Sequence, residues 1–176
     1  IVERLDFSTL VQLPDTYISK ELRKTISDIV YSCNMKDGSD TIKISLLIEH
    51  KSYLDKYTPI QIGSYIFSGL LKQIRNKEKK LSLIIPILLY HGEEKWEYRT
   101  LNDLFDNLDS ELRKFIPDYE YVYHNLGEIS DEAIQALRNK FLAASLLALK
   151  HSVLKGDPEE WIALILGLAS DVGADL

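Results

Sequence analysis

Two runs of alternating apolar and polar residues flank a turn sequence, and this pattern constrains the fold more than any other in the chain. The first run covers residues 28–35 and the second covers residues 41–51, with an apolar side chain at every second position over most of both. Between them lies Asp37-Gly38-Ser39-Asp40, a composition typical of a turn. Alternation with a period of two predicts strands, and two strands joined by a short turn predict a β-hairpin.

The predicted hairpin has one apolar and one polar face. If the four turn residues form the loop, Lys36 pairs with Thr41 and Asp28 lies directly opposite Glu49. Side chains at opposite positions lie about 5 Å apart, and the same period places Lys51 on the face that carries both carboxylates. The apolar face comprises Ile29, Tyr31, Cys33, Met35, Ile42, Ile44, Leu46 and Ile48. We therefore expect two carboxylates and an amine to converge at the open end of the hairpin.

Such a group suits a divalent cation. Two carboxylates with a backbone carbonyl nearby, here that of His50, supply the hard oxygen ligands that Mg²⁺ or Mn²⁺ prefers. A lysine two residues further on can orient or deprotonate a water, and this combination hydrolyses phosphodiesters. Plainer explanations stay open, because Glu-x-Lys at a strand end is commonly solvated charge and Asp28 also fits the start of a strand.

A helix and a further strand follow the hairpin. Thr58-Pro59-Ile60-Gln61 carries the residues of a capping box with proline at the first helical position, which predicts a helix to about Lys80. Gln61 is therefore either a capping partner of Thr58 or a residue of the site. Residues 81–90 read as a buried strand in which Pro86 suggests an edge or a bulge. Strand, helix and strand form a crossover unit, which predicts a parallel pair.

The remaining elements are mainly helical. We predict a short helix at residues 19–25, a helix opening at Thr100, a strand over residues 119–125, one long helix from Ser130 to about Lys155, and a last helix over residues 158–169. The predicted fold class is α/β, with a mixed sheet and additional C-terminal helices. We expect residues 1–129 to form the core and residues 130–176 a helical extension packed on or following it.

Composition narrows the function classes. With 176 residues, 45% hydrophobic and 27% charged, the chain suits one globular domain, and its net charge of −6 argues weakly against binding nucleic acid over the whole surface. The single cysteine, Cys33, excludes an intramolecular disulfide and a cysteine-based zinc site, which fits a reducing cytoplasm. No apolar run approaches the roughly 20 residues of a membrane span, so we expect no membrane contact.

Two further features have open explanations. One basic cluster comprises Lys72, Arg75, Lys77, Lys79 and Lys80. These residues would contact phosphate, or they would be solvated cations that complement the helix dipole. His91 follows the fourth predicted strand and would touch a substrate or stand in a turn before Gly92.

Three segments together resemble a known bacterial family. They are Ser27-Asp28-Ile29-Val30-Tyr31, Leu47-Ile48-Glu49-His50-Lys51-Ser52 and Ile85-Pro86-Ile87-Leu88-Leu89-Tyr90-His91-Gly92, with residues 4–10 upstream. This set resembles the recombination-promoting nuclease and transposase-like family. The resemblance implies the PD-(D/E)xK nuclease-like fold, in which a helix, three strands, a helix and a strand follow one another.

The resemblance also implies roles for individual residues. Asp28 and Glu49 would be metal ligands, Lys51 the catalytic lysine and Gln61 a residue that positions water. Many relatives have glutamine where this chain has Lys51. The relatives also begin with a helical segment that this sequence lacks, and the chain would be inactive in isolation if that segment completes the site.

The implied activity is that of a Mg²⁺- or Mn²⁺-dependent DNA endonuclease associated with recombination or transposition. Its partner would be DNA, and a homodimer would supply the two sites that double-strand cleavage needs. The alternative is a non-catalytic DNA-binding or assembly domain of a transposase-related protein. A third reading is a metal-dependent phosphoesterase acting on small nucleotides.

Overall fold

The computed structural model describes residues 2–13, 27–39, 41–49, 55–153 and 158–172, and these residues adopt the predicted mixed α/β architecture. Five strands form one sheet in the order β1-β2-β3-β4-β5. The strands are β1 (Leu5–Gln12), β2 (Ser27–Met35), β3 (Thr41–Glu49), β4 (Ile84–Tyr90) and β5 (Val122–Asn125). The α-helices are α1 (Thr58–Arg75), α2 (Ser110–Arg113), α3 (Asp131–Gln135), α4 (Lys140–His151) and α5 (Pro158–Val172). The predicted helix at residues 19–25 lies outside the described residues.

The predicted hairpin is confirmed, but its register differs by two residues from the prediction. β2 and β3 pair antiparallel, with Asn34 opposite Thr41 and Asp28 opposite Leu47. The prediction that Asp28 lies directly opposite Glu49 was therefore wrong. A shift of two leaves every residue on its predicted face, because the side-chain period of a strand is also two.

The end of β2 also pairs with the N-terminal strand, on the edge opposite to β3. Met35 is paired with Leu5, and the Lys36 N–H donates to the Arg4 carbonyl at 2.9 Å. The turn then closes through the Gly38 N–H, which donates to the Met35 carbonyl at 3.0 Å. Gly38 has φ 68°, a conformation that glycine adopts without steric cost. The turn therefore begins at Met35, one residue before the predicted start at Lys36.

The predicted apolar face of the hairpin forms a core. Leu5, Cys33, Met35 and Ile42 are buried together, and Ile85 of β4 packs against them. Residues of the opposite face are not all solvated, since Val30 is only 5% exposed. The polar face of the hairpin is therefore covered at Val30.

β1 was not predicted, because a bulge interrupts its alternation. Its pairing with β2 shifts between Asp6 and Val11. Within the bulge the Thr9 hydroxyl accepts from the Asn34 N–H at 2.9 Å and donates to the Asp6 carbonyl at 2.6 Å. A side chain thus replaces part of the backbone ladder, and residues 5–12 show no regular period of two.

α1 connects β3 to its neighbour β4, as a crossover between parallel strands requires. The helix ends at Arg75, before the predicted end at Lys80. Lys77 has φ 58°, which is incompatible with a continuing right-handed helix. β4 lies between β3 and β5, so the suggestion that Pro86 marks an edge strand was wrong.

The described residues fall into two compact units. The first contains residues 2–13, 27–39, 41–49, 55–89 and 97–124, and the second contains residues 90–96, 125–153 and 158–172. The predicted division at residue 129 stays a prediction. None of the described helices is both long and apolar enough to span a membrane.

The second unit has two helices where the sequence predicted one. The Ser130 side chain caps α3 by accepting from the Ala133 N–H at 3.2 Å, and the Asn139 side chain caps α4 by accepting from the Leu142 N–H at 2.9 Å. The cap at Asn139 begins a new helix, so the prediction of one continuous helix was wrong. Ile134, Ala143 and Leu147 form the core here, and α5 packs on it through Leu164, Ile165 and Leu168.

Candidate functional site

The open end of the β2–β3 hairpin holds two of the predicted site residues. Asp28 is paired with Leu47, and Glu49 follows two residues later on β3, where that strand ends. Asp28 and Glu49 are therefore diagonal neighbours on one face of the hairpin. Diagonal positions lie roughly 7–8 Å apart, in place of the predicted 5 Å. To share one cation, as the sequence predicts, the two carboxylates would have to span that separation.

The other two residues expected near this end lie outside the described residues. They are His50, whose carbonyl is the predicted third ligand, and Lys51, the predicted catalytic lysine. Their roles stay predictions. The strand that leads to them ends at Glu49, and its neighbour Ile48 is paired with β2.

Gln61 belongs to the first turn of α1, where its amide is held by Asp55. The Gln61 Nε2 donates to one carboxylate oxygen of Asp55 at 2.9 Å, and the Tyr57 N–H donates to the other at 2.9 Å. The Thr58 hydroxyl donates to the Asp55 carbonyl at 2.8 Å. The predicted capping box between Thr58 and Gln61 is therefore wrong, because Asp55 satisfies this helix start.

The contact with Asp55 fixes the orientation of the Gln61 amide. A carboxylate only accepts hydrogen bonds, so the amide nitrogen must point at Asp55 and the amide oxygen must point away. That oxygen, Oε1, is buried, and within the described part of the chain no donor lies within hydrogen-bonding distance of it. A buried acceptor of this kind needs an explanation, and a ligand or an ordered water would provide one.

Tyr119 anchors the same turn of α1 and was not singled out in the sequence. Its hydroxyl donates to the carbonyl of Pro59, and burial raises the pKa of this phenol above 10.0, so it stays protonated as a donor. A β-carbon added at Gly63 would lie 2.6 Å from the hydroxyl oxygen. The absence of a side chain at Gly63 therefore allows Tyr119 to reach the helix start next to Gln61.

We expect Gly63→Ala to lower the free energy of unfolding by about 1–3 kcal/mol, since overpacking displaces Tyr119. In an ordinary helix the same change stabilises by roughly 1 kcal/mol. Thermal unfolding followed by circular dichroism would measure the difference, with Ser64→Ala on the exposed side of α1 as the matched control. A Gly63→Ala variant that is more stable than the wild type would contradict this account of Tyr119.

The segment around His91 has a packing explanation. His91 is buried, at 2% exposed, and Tyr90 beside it is fully buried. The Tyr90 hydroxyl donates to the Glu94 carbonyl at 2.9 Å, and its ring packs edge-on against Trp96 at 4.9 Å between centroids. The ring also lies directly over Gly92. These contacts account for the burial of much of this segment, and none of them requires a bound substrate.

Among the described side chains, no three or more His, Cys, Asp or Glu residues are placed to hold one ion. The side chains of Asp28 and Glu49 are not among those described, so this absence does not bear on the predicted metal site.

The fold and the site together define a class of protein: a mixed α/β chain with two acidic residues on one face of a hairpin and an oriented glutamine at the next helix. A family profile described as "Putative transposase, YhgA-like" matches residues 1–173, and the chain belongs to this family. The family suggested by the sequence motifs is thus confirmed. The match also includes the C-terminal helices, where those motifs do not reach.

Several curated relatives carry names that describe a nuclease. The chain is 29% identical over 89 residues to recombination-promoting nuclease RpnA of Escherichia coli K12, covering 51% of this chain and 30% of the relative. It is 28% identical over 108 residues to recombination-promoting nuclease RpnD of Escherichia coli O157:H7, covering 59% and 41%.

A further relative carries a different description. The chain is 25% identical over 146 residues to the "Inactive recombination-promoting nuclease-like protein RpnE" of Escherichia coli K12, covering 83% of this chain and 48% of the relative. The chain therefore spans about half or less of the length of these relatives. No solved structure matches it.

Proposed function

We propose that this chain is the core of a Mg²⁺- or Mn²⁺-dependent DNA endonuclease of the PD-(D/E)xK type that acts in recombination or transposition. The observation that carries the proposal is the register of the hairpin, which places Asp28 and Glu49 at diagonal positions of one face. The names of RpnA and RpnD support the same activity class and a DNA substrate.

Each proposed residue has a separate task. Asp28, Glu49 and the carbonyl of His50 would hold a divalent cation, which when bound polarises the scissile phosphate and lowers the pKa of a water. Lys51 would assist the attacking water or stabilise the negative charge that develops on the phosphate. Gln61 would accept a hydrogen bond from that water through Oε1, the atom that its contact with Asp55 turns away from the carboxylate.

A non-catalytic DNA-binding or assembly domain is the second candidate. The observation that favours it is the name of RpnE, which describes an inactive nuclease-like protein. The match to RpnE covers 83% of this chain. The two candidates differ in one respect, since a binding domain would hold DNA with the same salt dependence whether or not a divalent cation is added.

A substrate panel tests the proposal. We expect the wild-type chain to convert supercoiled plasmid to open circles when Mg²⁺ or Mn²⁺ is added and to stop when EDTA is added. Small nucleotide phosphoesters should stay intact in the same buffers. Hydrolysis of the small esters alone would favour the phosphoesterase reading, and salt-sensitive DNA binding without any cleavage would favour the binding domain.

A further inference from the structure

We propose that a basic surface at the turn end of the β2–β3 hairpin binds the backbone phosphates of the DNA duplex that is cut at the open end. This inference rests on the proposal that DNA is the substrate. The surface, here called the basic corner, comprises Arg4, Lys36, Lys72, Arg75, Lys77, Lys79 and Lys80.

Two segments that are distant in the sequence meet at this surface. Lys36, in the β2–β3 turn, and Lys80, after α1, line one open polar cavity of about 430 Å³ that Asp6, Asn34 and Ser39 also line. Arg4 is held beside Lys36 by the backbone hydrogen bond of 2.9 Å between them. The cluster visible in the sequence therefore gains two cations from distant positions in the chain.

The corner has an excess of positive charge on a chain whose net charge is −6. Against the seven basic residues stand Asp6 in the cavity and three acidic residues adjacent to the cations in the sequence, namely Glu3, Asp37 and Glu78. Hydrogen bonds from the Ser39 side chain and backbone hold the pKa of Asp37 below its usual value. Within the described residues, Lys36, Arg75, Lys77 and Lys79 make no ion pair.

The loop that presents three of the cations, Lys77, Lys79 and Lys80, is fixed at both ends. At its start the Lys77 N–H donates to the Ile74 carbonyl at 2.9 Å and the Glu78 N–H donates to the Gln73 carbonyl at 3.0 Å, which is the Schellman motif. At its end the fully buried Gln73 side chain accepts from the Ser82 N–H at 2.6 Å and donates to the Ser82 carbonyl at 3.1 Å. A fixed loop loses little entropy when it binds phosphate.

Lys77 occupies the position in this motif where glycine is the common residue. Its φ of 58° is the left-handed conformation, which brings the β-carbon of an L-residue too close to the next carbonyl. Lysine is therefore less stable here than glycine would be. Helix-dipole complementarity accounts for cations in the last turn of α1, but not for a strained lysine beyond it or for Lys36 and Arg4.

The distance from the corner to the candidate metal site fits one duplex. At about 3.3 Å per strand residue, roughly 25 Å separate Asp28 from Lys36 along β2. That length corresponds to about seven or eight base pairs of B-DNA at 3.4 Å each. A duplex lying along the hairpin would reach both ends.

Fluorescence anisotropy with a labelled 20-base-pair duplex in EDTA tests the corner without cleavage. Lys77→Gly should raise the thermal midpoint of the protein and weaken DNA binding about eightfold at 0.1 M salt, with the slope of log K against log salt reduced by about 0.9. Lys36→Gln combined with Lys79→Gln should remove about two such contacts. Lys114→Gln, an exposed lysine outside the corner, should leave binding unchanged.

Unchanged affinity and salt slope in both variants would overturn the inference, as would a lower thermal midpoint for Lys77→Gly. So would a loss of binding to anionic lipid vesicles in these variants while their DNA binding stays at the wild-type level, since the corner would then contact a membrane. Cleavage distinguishes the two proposals. If the wild type binds DNA through the corner but never cuts it with Mg²⁺ or Mn²⁺, the nuclease proposal fails and the proposal of the basic corner stands. If the corner variants nick plasmid and bind DNA like the wild type, the basic corner fails and the nuclease proposal stands.

Discussion

Plasmid nicking is expected to fall at least about 100-fold when Asp28 is changed to Asn or Glu49 to Gln. Each change keeps the size of the side chain and removes the negative charge that a divalent cation requires. Because the two residues are diagonal neighbours at the hairpin end, neither amide variant would leave a complete ligand set. Initial rates of conversion of supercoiled to open-circle plasmid, measured over a range of Mn²⁺ concentrations, give the comparison.

A matched control is available for the glutamate. Glu97→Gln removes the same charge from an exposed carboxylate whose contact with Arg99 is a long 3.9 Å. This variant should nick plasmid at the wild-type rate. Lys51→Ala should also lose cleavage, but it should still bind Mn²⁺, because lysine would act on the water or the phosphate and not on the cation. Wild-type rates in all three site variants would mean that the activity lies elsewhere or is a contaminant.

The second large effect concerns Asp131, which joins three helices of the second unit. One carboxylate oxygen accepts from the Lys150 Nζ at 2.7 Å, and the other lies 2.7 Å from the His151 Nε2. Lys150 is only 8% exposed and also donates to the Ile129 carbonyl at 2.6 Å. The His151 ring in turn stacks on Trp161 of α5, with 7° between the ring planes.

We expect Asp131→Ala to lower the free energy of unfolding by roughly 2–4 kcal/mol, because it leaves the buried Lys150 ammonium without its counter-charge. Urea unfolding followed by circular dichroism would measure the loss. Glu132→Gln, an exposed carboxylate on the same helical turn, is the control and should change stability by less than about 1 kcal/mol. An unchanged midpoint for Asp131→Ala would show that the ion pair contributes nothing net.

The pH dependence of this contribution has a definite sign. Burial alone would raise the pKa of Asp131, but the hydrogen bonds and charges of Lys150 and His151 outweigh it and hold the pKa below the usual 3.8. A depressed folded-state pKa means that the stabilisation is fully present above 3.8 and is lost as the pH falls through the folded-state value. The stability difference between wild type and Asp131→Ala should therefore shrink in strong acid. A difference that stays constant down to low pH would contradict this assignment.

The sequence predicted the hairpin and its apolar face because alternation reports directly which positions are buried. It could not predict the register, since a two-residue shift preserves that alternation. The turn begins at Met35, where the carbonyl accepts from the Gly38 N–H, and the strand pattern does not distinguish this start from one at Lys36. The position of the turn therefore decided what the alternation left open.

The accuracy of the predicted helix boundaries was limited because side chains compete for the hydrogen-bonding groups of the backbone. Asn139 caps a new helix in the middle of a run that reads as one, and Asp55 replaces Thr58 as the residue that satisfies the start of α1. The position of Asp55, three residues before Thr58, is the sequence feature that could have indicated this role. Tyr119 is distant in sequence from the Pro59 carbonyl that accepts its hydrogen bond, so sequence spacing gave no signal of their contact.

The central claim is that the carboxylates at the open end of the hairpin hold a divalent cation, and Mn²⁺ titration followed by electron paramagnetic resonance tests it most directly. The signal of free aqueous Mn²⁺ falls when the ion binds, and a contaminating nuclease cannot produce this effect at stoichiometric protein concentration. We expect saturable binding by the wild type and by Glu97→Gln, and little or none by Asp28→Asn or Glu49→Gln. Wild-type binding by both carboxylate variants, or no binding by the wild type, would contradict the account.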